Sequence, residues 1–333
     1  QAMISKSGFY GSYNVAVGSE TLTCLQNDAN QNTAIGSCAL KYNSAGLNNT
    51  AVGFRSQTSN TVGGNNVSVG ASALLNNQVG TFNVAIGTYS LRVFTGSFNV
   101  AVGGNTLYYN LSGTKNTAVG HGALNKNLTS STAVGYFALL CNTTGTNNTA
   151  VGIHSLQLND VGYANTAMGY NSLRCNTSGT NNTAIGDRAL PFNTTGIRNT
   201  AIGAKSLFCN TTGGCNTAVG NFALYQNTCG PNTAIGYKSL CSNTTGNRNT
   251  AIGFGALCNN VSGGNNTAVG HYALVANTTN CNTAVGHNAL KCNTIGSYNT
   301  AVGNSSLSGS TTASCNTAIG HAALICNTTG FLN

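Results

Sequence analysis

Thirteen cysteines are the residues of this chain best able to do chemistry, and their spacings are regular. Cys241 and Cys258 are 17 residues apart. Cys281 and Cys292, like Cys315 and Cys326, are 11 apart. Cys209 and Cys215 flank one short segment, and Cys141 and Cys175 are separated by 34. So many cysteines point to disulfides and an oxidising compartment, with exposed free thiols as the alternative. No Cys-x-x-Cys occurs and no histidine is spaced to complete a site, so no zinc is expected.

The other reactive groups are sparse. The four acids, Glu20, Asp28, Asp160 and Asp187, lie too far apart in sequence for a catalytic carboxylate pair. His154 and Asp160 have no nucleophile set against them. His271 and His287, with His121 and His321, read as exposed turn residues. The recurrent glycines lack a phosphate-loop lysine and the helix N-terminus that phosphate needs. We therefore expect neither an enzyme nor a cofactor, and no metal.

These groups are all carried by one repeating element. The phrase Asn-Thr-Ala-Val/Ile-Gly returns about every 17 residues, from Asn14-Val15-Ala16-Val17-Gly18 to Asn316-Thr317-Ala318-Ile319-Gly320. A period this short means a stacked array, because one repeat cannot bury its own apolar face. Residues 14–333 read as one repeat array, and 1–13 as a degenerate partial coil.

Let the phrase glycine be position zero. Position −1 is Val, Ile or once Met168, −3 is Thr or Val, and −2 is Ala in all copies but Ser68. Positions −3 and −1 share one face of a strand, and −4 and −2 share the other. Leu fills +4 in every copy except Gln57, beside a small residue at +3. Then comes a turn such as Asn142-Thr143-Thr144-Gly145. This pattern predicts an all-β parallel solenoid of about nineteen coils, with two short strands and two glycine turns in each. Stacking at about 4.8 Å would give a rod of roughly 90 Å. The expected core columns are Leu at +4, as in Leu207, Leu224 and Leu240, and Val/Ile at −1, as in Ile202, Val219 and Ile235. Asn columns at −4 and in the turns are expected to form amide ladders.

Read in this frame, the cysteines share slots with Lys and Arg at +2, +5 and −5, with others at +6. Such slots face solvent. Equivalent positions in adjacent coils lie within disulfide range, which fits Cys241 with Cys258. Cys281 with Cys292, and Cys315 with Cys326, are candidates for coil-to-coil bridges. Cys141 and Cys175, two coils apart, are candidates for bonds to other chains. Sequons recur in the turns, so Asn142 and Asn210 are candidate glycan sites.

The phrase resembles the head repeats of trimeric autotransporter adhesins. The longer form, Ala-Leu-x-x-Asn-Thr-Thr-Gly-x-x-Asn-Thr-Ala-Val/Ile-Gly, resembles arrays in bacterial and viral surface or tail-fibre proteins. The resemblance covers residues 14 to 333. It implies a left-handed parallel β-roll with three chains to a rod and the apolar residues of the phrase inward. This chain differs in its longer repeats and its many cysteines.

Composition bounds the function. Charged residues are 5% and the net charge of +9 is scattered, so there is no nucleic-acid footprint. Weak attraction to acidic surfaces or glycans is compatible with it. No apolar run is long enough for a membrane span. The resulting expectation is an extracellular or surface-associated structural fibre, on a cell or a virion, that forms homo-oligomeric rods or filaments. The alternative is an adhesin or receptor-binding trimer recognising glycans or surfaces. The repeat runs to Asn333 without a cap, so head-to-tail growth is also expected.

Overall fold

The computed structural model describes residues 13–26, 29–126 and 130–333. The partial coil expected over 1–13 lies outside them apart from Tyr13. The described residues form an all-β parallel solenoid with nineteen strands, one per coil and about 17 residues apart. Among the described residues there is no helix. Two compact units divide it, Gln1–Ala164 and Asn165–Asn333. The first holds β1 (Val15–Val17) to β9 (Asn148–Val151), and the second β10 (Thr166–Met168) to β19 (Thr317–Ile319).

Within each unit like residues align. Between β12 (Thr200–Ile202) and β13 (Thr217–Val219), Thr200 pairs with Thr217, Ala201 with Ala218 and Ile202 with Val219. The sequence enforces this register, because a slip of one residue would turn every Ala outward.

Among the described residues the second strand expected in each coil is absent. Its place is taken by a chain of turns from position zero to +6, in which +2 and +4 adopt the left-handed conformation. Lys205 has φ of 55° and Leu207 has φ of 49°. A non-glycine residue pays about 1–2 kcal/mol to sit there. Alternating hands point successive peptide groups along the stacking direction, so they can bond to neighbouring coils as strand residues do. Lys205 N–H donates to Asp187 O at 2.9 Å, Leu207 N–H to Ala223 O at 3.0 Å, and Cys209 N–H to Tyr225 O at 2.9 Å. Sequence reading saw apolar and small residues side by side and inferred an extended segment. The intercoil hydrogen bonds instead select a bent one.

The core is a column of leucines facing columns of small residues. Leu207, Leu224 and Leu240 are fully buried, as are Ala201, Ala218 and Ala234. The expected inner column at −1 is a correction. Ile202 and Ile235 are 37% and 39% exposed, and Val219 is half-buried. Parity explains it. Asn at −4 is buried to bond the turn, and −2 lies on the same face as −4. Positions −3 and −1 must then face out, and the thin coil leaves room beneath the strand only for Ala. We predict that Leu207→Ala costs about 2–5 kcal/mol, lowering the urea midpoint, whereas Ile202→Ala changes the stability of an isolated chain far less.

The two departures from the Leu and Ala columns compensate each other. Gln57 replaces the core Leu, and Ser68 replaces the Ala that it meets in the next coil. Gln57 Nε2 donates to Ser68 Oγ at 3.0 Å, and Ser56 Oγ lies 2.5 Å from Ser68 Oγ. All three are fully buried.

Candidate functional site

Position −4 builds the first amide ladder. Asn199 N–H donates to Asn182 Oδ1 at 3.0 Å, and Asn199 Nδ2 to Gly213 O at 2.8 Å. Asn199 Oδ1 in turn accepts from both N–H and Nδ2 of Asn216, each at 3.1 Å. The turn asparagines build the second. Asn210 Nδ2 donates to Asn193 Oδ1 and to Gly213 O, both at 3.0 Å. These ladders remove Asn142 and Asn210 as glycan sites in the folded chain. Both are fully buried, and their amides are committed to the stack. Sequence reading placed them outside because turns are generally exposed. Here the turn backbone faces water while its Asn fills the coil interior.

What remains outside is the candidate functional surface, and it consists of columns. The first is the strand face itself. In the second unit Met168, Ile185, Ile202, Ile235 and Ile252 are 36–42% exposed, and threonines at −3 are half-buried beside them. No charged residue lies on any strand from β10 to β19. The result is a regular uncharged face of β-branched side chains. Contiguous exposed apolar patches of this kind mark interaction surfaces.

The second column is aromatic, at +1. Tyr237, Phe254, His271 and His287 stack in order, with centroids 5.2, 5.2 and 5.3 Å apart and interplanar angles of 26°, 17° and 17°. The coil spacing sets this separation, and each ring covers the next one's face. His121 stacks similarly on Tyr136 at 5.7 Å. The sequence places His121, His271, His287 and His321 at one repeat position, where they read as exposed turn residues. Their aromatic neighbours at the same repeat position were the signal that reading missed. Among the described residues no three His, Cys, Asp or Glu side chains gather as a metal site.

Cations also lie over surface rings. Lys238 lies over Tyr237 at 5.3 Å, Lys205 over Phe222 at 5.4 Å, and Arg188 over Tyr170 at 5.6 Å. A shallow cleft is lined by Arg174, Cys175, Arg188, Pro191, Phe192 and Phe208. In the first unit Lys41 pairs with exposed Glu20 at 2.6 Å, and this hydrogen bond lowers the carboxyl pKa.

All thirteen cysteines are free thiols in this structure. Among the described residues Cys241 and Cys258 are a pair of cysteines whose thiols interact. The other expected pairs are not joined, because their members are held in separate backbone columns. Cys281 N–H bonds to Gly264 O and Cys292 N–H to Ser308 O, each at 3.1 Å. Cys215 N–H bonds to Ile197 O at 2.9 Å, one coil back, whereas Cys209 bonds one coil forward. Cys315 and Cys326 are likewise unjoined and exposed. Burial pushes the Cys209 and Cys229 thiols up. Cys141 and Cys175 are half-buried.

Comparison with protein-family models and with curated proteins found no match for this chain.

Proposed function

We propose that the chain is a structural fibre protein that works outside the cell or on a virion surface and associates with copies of itself through the outward strand face. The observation that carries this reading is the uncharged column of Met, Ile and Val at −1. These side chains recur at every coil, several of them more than a third exposed and none of them buried in a single copy, and a second copy with the same repeat offers a matching column. The absence of acids and bases from that face removes the repulsion that would oppose stacking of like surfaces. Two or three chains to a rod both satisfy it. On this reading the thiols at Cys141 and Cys175 are available to link chains once oxidised.

The test is sedimentation velocity of the chain and of an Ile202→Lys, Ile235→Lys double variant. The parent should sediment as an oligomer and the variant as a monomer with an unchanged β circular dichroism spectrum. A parent that stays monomeric at high concentration, or a variant that assembles normally, overturns the reading.

One observation favours a second reading, an adhesin recognising an acidic sugar. Arg174 and Arg188 line one cleft with Phe192 and Phe208, which combines two basic residues with apolar rings. Binding to sialylated or uronic-acid glycans that is lost in Arg188→Ala would support it.

A further inference from the structure

Cys241 and Cys258 occupy the same +5 position in consecutive coils of the second unit. Two backbone hydrogen bonds bracket Cys241 and hold the register: Leu240 N–H to Ala256 O and Ser242 N–H to Cys258 O, each at 2.9 Å. The two Cα atoms are therefore fixed at the coil spacing of about 4.8 Å, within the range of about 4.4–6.8 Å that a disulfide spans. The two thiols lie beside one another and interact across the stack. Both are half-buried, so a small reagent can reach them.

We infer that Cys241 and Cys258 form a thiol–disulfide exchange pair that accepts a small-molecule disulfide as its oxidant and closes a covalent staple between consecutive coils. The thiol–thiol contact and the Lys238 ammonium both favour a thiolate within the pair. That thiolate is the attacking group.

The exchange balances. The thiolate of one cysteine attacks one sulfur of the small disulfide, the S–S bond breaks, and one small thiolate leaves and takes up a proton. The other cysteine then loses its proton to solvent and attacks the Sγ of the first, expelling the second small thiolate. Two protein thiols and one small disulfide become one protein disulfide and two small thiols. None of this depends on self-association, so it stands apart from the fibre reading.

The test incubates the full chain with oxidised glutathione near pH 8, blocks residual thiols and digests with trypsin. Peptide Ser239–Arg248 should be recovered joined to Asn249–Lys291. Fragmentation should place the bond at Cys258 rather than Cys281. The Cys281→Ser variant should keep the link and Cys258→Ser should lose it. In the reduced chain, iodoacetamide should label one member of the pair with a midpoint below that of an ordinary thiol. When its partner is replaced, by Cys241→Ser or Cys258→Ser, that labelling should slow roughly tenfold at pH 7, an effect that a merely structural cysteine would not show. Three results overturn the proposal: a bond through Cys281, a glutathione adduct that persists on either cysteine of the pair without transfer, or labelling of both with the pH dependence of an ordinary thiol.

Discussion

A Gly203→Ala chain is expected to lose about 3–6 kcal/mol of stability in its second unit, the largest effect of any single methyl group in the coil. Gly203 has φ of +124°, where an L side chain is strained by about 1–3 kcal/mol. The added Cβ would also lie 2.7 Å from both C and O of Gly220 in the next coil. That contact is backbone against backbone, so no rotamer relieves it. Opening the coils to make room weakens the bonds from Gly203 N–H to Ile185 O and from Gly220 N–H to Ile202 O, both 2.7 Å, at about 1–3 kcal/mol for each buried group left unpaired. The control is Gly104→Ala. Its Cβ would meet only ordinary contacts, the nearest being His121 Cδ2 at 3.4 Å, so it should be close to neutral. Urea melts of both variants check the contrast, and equal midpoints would refute the tight coil spacing. Hydrogen exchange should place the Gly203→Ala damage in the coils around Gly203 first, since repeat arrays open locally.

The second large effect is at the ladder. Asn199→Ala removes an acceptor that holds the Asn216 N–H and a donor to Gly213 O. Gly213 O retains Asn210, but the Asn216 N–H is left buried and unpaired. With the small cavity added, the expected cost is about 2–5 kcal/mol. Asn199→Asp separates the two roles, because it keeps the acceptor and loses the donor. Its buried carboxyl has no cation beside it in the ladder, so its folded pKa should rise above the unfolded value. The added destabilisation is then absent below the unfolded carboxyl range and grows as pH rises through and above it. Asn199→Asp should therefore melt closer to the parent near pH 4 than near pH 8. A flat difference across that range would show that the site is hydrated.

Both variants act on features whose existence is legible in the sequence and whose geometry is not. The period fixes stacked coils with parallel pairing in register, because only stacking lets each repeat bury an apolar face, whereas folding left each coil one strand where two were expected. Leu at +4 is inside for the same reason, and recurrent Asn at two positions already implies amide ladders. The sequence also shows that Cys241 and Cys258 share a repeat position. Folding decided the rest. A three-residue strand carries apolar side chains on both faces, so hydrophobicity could not tell Ala201 from Ile202. The buried amide of Asn199 settled it through parity. Left-handed backbone at Leu207 has no signature in residue type, since intercoil hydrogen bonds impose it against local preference. The turn asparagines are inside because the coil is thin. The pairing of Cys241 with Cys258, rather than of Cys281 with Cys292, was decided by which backbone column each thiol occupies. That is a property of the stacked coils and of no single repeat.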